Sequence, residues 1–280
     1  MTAHPRALPP GSVDLTAIPT DATPGFEGNK AAGEQALAEL GDSLSELQER
    51  LFAEGRGGRP RSVLLVLQGM DTSGKGGVLQ HTVGLVDPQG VKISTFKAPT
   101  DEERDHDFLW RIRKALPAPG YLGVFDRSHY EDVLIQRVRA MAPPEEIERR
   151  YTAINDFEKE LVDGGTVVMK CMLHISADTQ KERLLARLDD PAKHWKYHPG
   201  DVDQRALWPA YRDAYEIALE RTNTEHAAWY VVPSDRKWYR NLAIAQLLHD
   251  TLTGMDPQWP VADFDVAAER RRLVDETPIA

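Results

Sequence analysis

Cysteine is nearly absent. The 280-residue chain carries one, Cys171, which excludes an internal disulfide, and no Cys/His spacing suits zinc. Long apolar runs are missing as well: no window reaches the roughly 18 apolar residues of a membrane span. No apolar stretch near the start reads as a secretory signal, so a cytoplasmic protein without membrane contact is expected. Surplus positive charge is lacking too. The formal net charge is −10, and the basic residues fall in short clusters rather than on one broad face, which argues against DNA binding. That balance does not forbid a polyanionic substrate, because a focused basic cleft can sit inside an acidic exterior.

A hydrophobic fraction of 41% is ordinary for a globular chain, and the length suits one large domain with small appendages. Residues 1–30 hold Pro5, Pro9, Pro10, Pro19 and Pro24 with little apolar content, and read as a flexible tail or a loosely draped arm. Leu37, Leu40, Leu44, Leu47 and Leu51 then repeat at three and four, predicting a helix over 36–51 that packs on the main domain. Two heptads are too few for a convincing coiled coil. After Pro60, short β-branched runs at 63–67, 91–96, 122–125, 166–175 and 229–232 alternate with helical stretches such as 145–161 and 207–220. Strands separated by helices predict βαβ units, a parallel sheet, and ligands at the carboxyl ends of the strands.

The first strand runs into Gly69-Met70-Asp71-Thr72-Ser73-Gly74-Lys75-Gly76-Gly77, which fits the G-x-x-x-x-G-K core of a P-loop. Gly69, Thr72, Ser73, Gly74, Gly76 and Gly77 are therefore candidate phosphate-binding residues. The glycines let backbone N–H groups turn towards phosphate oxygens, and the following helix adds positive potential. Lys75 would supply a point charge to the transferring phosphoryl group. Most P-loops place Ser or Thr after the lysine to hold Mg2+, but here it is Gly76. Asp71 is then the obvious oxygen donor for the metal, although an acidic turn residue is a plainer reading. An apolar strand closing on Asp126 has the form of a Walker B element, so Asp71 and Asp126 together are the candidate Mg2+ ligands. Arg127 beside them offers a planar fork for phosphoryl oxygens; a strand-end Asp126–Arg127 ion pair is the bland alternative. His129 suits packing as well as it suits a ligand.

Further on, Asp178 is placed to cap a helix carrying Arg183 and Arg187 on one face. Lys193 and Lys196 follow across the break at Pro191. These cations read as a mobile lid at about 183–200 that folds over phosphates and excludes water, against the alternative of a solvated helix face. Arg111 and Arg113 point to different faces of a helix, so at most one reaches a ligand, while Phe108, Leu109 and Ile112 read as core. The candidate catalytic set is Asp71, Lys75, Asp126, Arg127 and Arg187, with Arg183, Lys193 and Lys196 as further phosphate contacts.

Taken together, GMDTSGKGG at 69–77, HDFLWRI at 106–112, FDRSHYEDVL at 125–134, RLDDPAKHWK at 187–196 and TNTEHAAWYVVPSDRKWYRNL at 222–242 resemble the second family of polyphosphate kinases. The resemblance implies an α/β class: a three-layer, thymidylate-kinase-like P-loop fold with a central parallel sheet of about five strands flanked by helices, and a helical lid. It assigns residues 31–255 to the phosphotransferase domain and leaves 256–280 as an extension. It further implies Mg2+ at Asp71 and Asp126, phosphate contacts at Lys75 and Arg127, and lid cations at Arg187, Lys193 and Lys196. The implied reaction moves a terminal phosphoryl group between inorganic polyphosphate and AMP, ADP or GDP, in a homodimer or homotetramer. An ATP-dependent nucleotide or small-molecule kinase of the same fold, or a phosphate-binding regulatory module, remains the alternative.

Overall fold

Five strands, β1 (Ser62–Gln68), β2 (Val91–Thr95), β3 (Leu122–Asp126), β4 (Thr166–His174) and β5 (Trp229–Pro233), make one sheet in the order β2-β3-β1-β4-β5. Every pairing is parallel. The structure is a computed structural model that describes residues 4–276. Strand β1 is central, and all its residues are buried, which is why it reads as a continuous apolar run rather than an alternating one. Its side chains still alternate between two cores: Leu64 and Val66 face one, Val63, Leu65 and Leu67 the other.

Along the chain the helices are α1 (Lys30–Arg56), α2 (Lys75–His81), α3 (Asp101–Arg104), α4 (Trp110–Ala115), α5 (Glu131–Val138) and α6 (Pro144–Asp163). They continue as α7 (Ala177–Leu188), α8 (Gly200–Ala206), α9 (Trp208–Thr222), α10 (Lys237–Met255) and α11 (Val266–Val274). Val133 and Leu134 of α5, Ile154 and Phe157 of α6, and Leu219 of α9 fill the core on one face of the sheet. Leu44 and Leu51 of α1, Val78 of α2, and Tyr239 and Leu248 of α10 fill the other. The result is the three-layer α/β arrangement expected. Helix α1 is longer than its leucine repeat because Asn29 caps it, its side chain accepting from Ala32 N at 3.0 Å. It lies along α10. Among the described residues no helix is long and apolar enough to cross a membrane.

Of the two readings of residues 1–30, the flexible one is corrected in favour of a draped arm for residues 4–29, which lie against the domain. Leu8 N donates to Trp229 O at 2.7 Å, Leu15 N to Glu216 Oε1 at 2.8 Å, and Tyr239 O–H to Pro24 O at 2.7 Å. Leu15 is 2% exposed, and His174 Nε2 reaches its carbonyl at 3.0 Å. The anchors are mostly backbone groups, which a scan for apolar side chains does not register.

Beneath the loop that follows β3 lies a buried polar network. Lys170 Nζ donates to Glu158 Oε2 at 2.6 Å, to Tyr130 Oη at 3.0 Å and to Thr222 O at 2.7 Å. Burial alone would raise the Glu158 carboxyl, but Lys170 and His129 outweigh it and hold it below its usual range. Each member has a partner, so the network ties β4, α6, α9 and the post-β3 loop into one piece. Lys170→Met leaves the Glu158 charge buried without its cation and is expected to cost about 3–5 kcal/mol in urea denaturation. A loss smaller than about 1 kcal/mol would mean the network contributes nothing to holding the loop.

Candidate active site

Strand β1 delivers the chain directly into the P-loop, and parallel pairing with β3 sets Asp126 level with Leu67, just before the loop begins. Both segments emerge at the carboxyl edge of the sheet, where a crevice forms between neighbouring strand ends. Two non-glycine residues there take left-handed backbone, Thr72 at φ 64° and Arg127 at φ 64°. Each such residue costs about 1–3 kcal/mol unless its surroundings fix it. Here they do: Arg183 Nη1 donates to Thr72 O at 2.8 Å, and Arg127 N donates to Leu67 O at 3.0 Å.

The crevice gathers five charged side chains. Arg127 Nη2 donates to Asp71 Oδ1 at 3.0 Å, and Lys75 Nζ bonds back to Gly69 O at 2.8 Å. Burial pulls Lys75 below its ordinary value and Arg127 adds to this, against the attraction of Asp71, Asp126 and Glu131. Burial also acts to lower Arg127, but Glu131 and Asp71 foremost outweigh it and hold the guanidinium charged. The four residues Asp71, Lys75, Asp126 and Arg127 chosen from sequence thus lie together. Glu131, at the first turn of α5, is an addition the motif reading missed. Burial raises its carboxyl above the usual range despite Arg127 and Lys75. The Gln68 amide, turned so that both ends are satisfied, donates to Glu131 Oε1 at 3.2 Å and accepts from Ser128 Oγ at 3.1 Å.

The loop's own polar groups divide into two sets. Thr72 Oγ1 and Ser73 Oγ are buried without a hydrogen-bond partner, which marks the loop as strained or awaiting a rearrangement. The carbonyls on its far side are taken up by cations: Arg183 reaches Thr72 O and Ser73 O (3.2 Å), and Arg240 Nη1 reaches Ser73 O at 3.3 Å. Arg183 also donates to Ser234 O and Asp235 O, at 2.6 and 2.9 Å. It is therefore a brace behind the loop rather than the phosphate contact expected. The glycines divide too. Gly74 has φ +111° and a Cβ there would meet Arg240 Nη1 at 1.7 Å; at Gly77 it would meet Nη2 at 2.4 Å. A Cβ on Gly76 would meet nothing within 4 Å, so a side chain is missing there for no steric reason.

Cations of the lid are engaged with one another's surroundings. Arg187 Nη1 donates to Lys196 O at 2.8 Å, Lys193 pairs with Asp190 at 2.7 Å, and Lys196 lies 4.9 Å from the Trp195 ring centroid. Among the described residues no hydrogen bond or ion pair joins these three to the crevice. Ser176, not Asp178, caps α7, accepting from Thr179 N at 3.1 Å. His129 is fully buried on Glu158 at 3.2 Å, which is the packed reading. Arg113 pairs with Glu160 at 2.8 Å, while buried Arg111 turns to Asp132 at 3.4 Å.

A family model described as Polyphosphate kinase 2 (PPK2) matches residues 27–260. The chain belongs to the polyphosphate kinase 2 family. It is 44% identical over 255 residues, 91% of this chain and 94% of the other, to a Meiothermus ruber protein named AMP/ADP-polyphosphate phosphotransferase. It is 38% identical over 260 residues, 89% and 88% of the two chains, to a Rhodopseudomonas palustris protein named ADP-polyphosphate phosphotransferase. The crystal structure of polyphosphate kinase 2 from Arthrobacter aurescens TC1 superposes with a TM-score of 0.94 at 56% identity, covering 96% of this chain and 95% of that one.

Family membership implies a divalent metal, and the donors fit one. Asp71 and Asp126 offer hard carboxylate oxygens at the mouth of the loop, and among the described residues no cluster of three or more His, Cys, Asp or Glu side chains forms a closed cage. A hard divalent cation shared between one or two carboxylates and phosphate oxygens needs no such cage. Gly76→Ser is expected to keep kcat within about threefold, while Gly74→Ala, with its positive φ and the guanidinium in its way, is expected to lose at least about 100-fold. Steady-state turnover of both purified variants, checked for folding by circular dichroism, decides between this and a loop whose glycines are interchangeable.

Proposed function

We propose that this chain transfers the terminal phosphoryl group between inorganic polyphosphate and a nucleoside mono- or diphosphate, AMP or ADP, with Mg2+. The observation that carries the reading is the crevice itself. Unpartnered Thr72 and Ser73 hydroxyls lie on a P-loop whose lysine sits among Asp71, Asp126, Glu131 and Arg127. The names of the relatives supply polyphosphate as donor, and the one named AMP/ADP-polyphosphate phosphotransferase supports both acceptors.

Loop N–H groups and hydroxyls would seat the end of the phosphate chain, with Lys75 and Arg127 on its terminal oxygens. Asp71 and Asp126 would hold Mg2+, which offsets charge on the transferring group. The acceptor's phosphate oxygen forms the new P–O bond as the terminal phosphorus leaves the bridging oxygen, and the polyphosphate departs one unit shorter. Direct transfer needs no phosphoryl carrier on the protein, and neither Cys171, whose thiol burial pushes up to about 12, nor His129, sealed on Glu158, is placed to be one. Arg187, Lys193 and Lys196 would exchange their present partners for phosphate oxygens when the lid closes, which also excludes water. Val261, Phe264 and Leu273 are exposed apolar side chains available to the expected homo-oligomer.

The test is product formation from AMP and from ADP with long-chain polyphosphate and Mg2+, with nucleotides separated by chromatography. ATP should appear from ADP, vanish with EDTA, and fall by about 100- to 1,000-fold in Lys75→Ala. ATP phosphorylating an acceptor while polyphosphate phosphorylates none would replace this reading with an ATP-dependent kinase.

A further inference from the structure

Among the described residues three cationic side chains are less than one-tenth exposed, Lys170, Arg111 and Arg240, and two of them are paired. Lys170 has Glu158 at 2.6 Å, and Arg111 has Asp132 at 3.4 Å. Arg240, on the first turn of α10 and 2% exposed, has no carboxylate at ion-pair distance among the described residues. Its Nε and Nη2 both donate to the neutral Asn241 Oδ1, at 3.2 and 2.8 Å, and its Nη1 donates to Ser73 O at 3.3 Å. Burial, and then the charge of a second cation, Arg183, brings it down to about 10. Lys237, one turn back on α10, adds a third positive group, itself lowered by burial and by Arg183, Arg240 and Lys193. The acids nearest Arg183 are Asp235 and Glu182. Asp235 is occupied: its Oδ1 accepts from Ser176 N at 3.0 Å and its Oδ2 from Thr20 Oγ1 at 2.6 Å.

An unpaired buried charge is costly, and it persists where a partner arrives later or where dipoles replace the partner. The position of Arg240 says which partner. Its guanidinium lies where side chains at Gly74 and Gly77 would be, against the first turn of α2, and its Nη1 holds the Ser73 carbonyl of the P-loop. We propose that Arg240 is a positioning residue for the phosphate chain, the counter-charge held behind the P-loop for phosphoryl groups bound on its front, kept available because residue 241 is an asparagine and not an aspartate. The glycines at 74 and 77 then serve this cation as much as the phosphate. The inference rests on the reading of the loop as a polyphosphate site.

Asn241→Asp tests it, because the substitution is isosteric and places a carboxylate on the two N–H groups that now meet an amide oxygen. A guanidinium with a purely structural task would keep its contacts and gain an ion pair. The proposal expects a melting temperature equal to or above wild type, with affinity for tripolyphosphate, titrated calorimetrically with Mg2+, weakened by at least about tenfold. KM for polyphosphate should rise in step while KM for the nucleotide moves less than about twofold. Wild-type tripolyphosphate affinity in a folded Asn241→Asp protein overturns the proposal. If Asn241→Asp does not fold, Arg240→Gln and Arg240→Lys take its place: Lys should hold the affinity within about threefold and Gln should lose it. Equal affinities in the two overturn the proposal. Should wild type bind ATP but no tripolyphosphate, the donor assignment is what has failed, and the same comparison runs with ATP as the probe.

Discussion

A P-loop can turn its N–H groups towards one side only if its carbonyls on the other side find donors. That constraint organises the catalytic end of this molecule. Left-handed backbone at Thr72 and Gly74 makes the turn. The carbonyls it displaces are taken by Arg183 and Arg240, and Gln180 Nε2 adds a bond to Asp71 O at 2.9 Å. Arg183 comes from α7, directly after β4, and Arg240 from α10, directly after β5. The loop is therefore clamped by the two strands on its far side in the sheet order β1-β4-β5, while Asp126 and Arg127 approach from β3 on the near side. Backbone dipoles, the half-buried Arg183 and buried Arg240 guanidinium groups and the carboxylates of the crevice form one electrostatic unit.

The rest of the fold keeps these parts in register. Both faces of β1 are packed, so its end cannot slide relative to β3 and β4 without exposing apolar side chains on one side or the other. The Lys170–Glu158–Tyr130 network does the same for the segment after Asp126, locking Ser128–Tyr130 from below with charged hydrogen bonds. Beyond Arg183 the lid stands outside this system among the described residues, joined to its own helix and turn through Arg187, Lys193 and Asp201. A rigid crevice beside a loosely tied cationic segment suits a reaction that must admit a long polyanion and then exclude water.

Most of this was legible in the chain. The parallel sheet follows from the βαβ rhythm after Pro60, though its strand order does not, and Asp71, Lys75, Asp126 and Arg127 follow from two motifs whose spacing has a mechanical reason. What escaped has a common cause: it depends on contacts between distant segments. Arg183 looked like a lid cation because it shares a helix face with Arg187, yet its four backbone acceptors come from residues 72–73 and 234–235. Arg240 gave one signal, a charged residue opening an otherwise apolar helix at Leu242–Leu248, which marks a buried charge with an undisclosed partner. Glu131 was quoted within its motif without a role, since nothing local says that the first turn of α5 faces Lys75. The arm at 4–29 escaped because backbone hydrogen bonds leave no trace in composition.

The central claim is that the phosphate chain is received on the front of residues 69–77 while cations hold the back. Amide hydrogen exchange with and without Mg2+ and long-chain polyphosphate tests this most directly. The account predicts slowed exchange at Thr72–Gly77 and at the start of α10, with the far ends of α1 and α6 unchanged. Protection confined to other surfaces, with the loop amides exchanging as before, would contradict it.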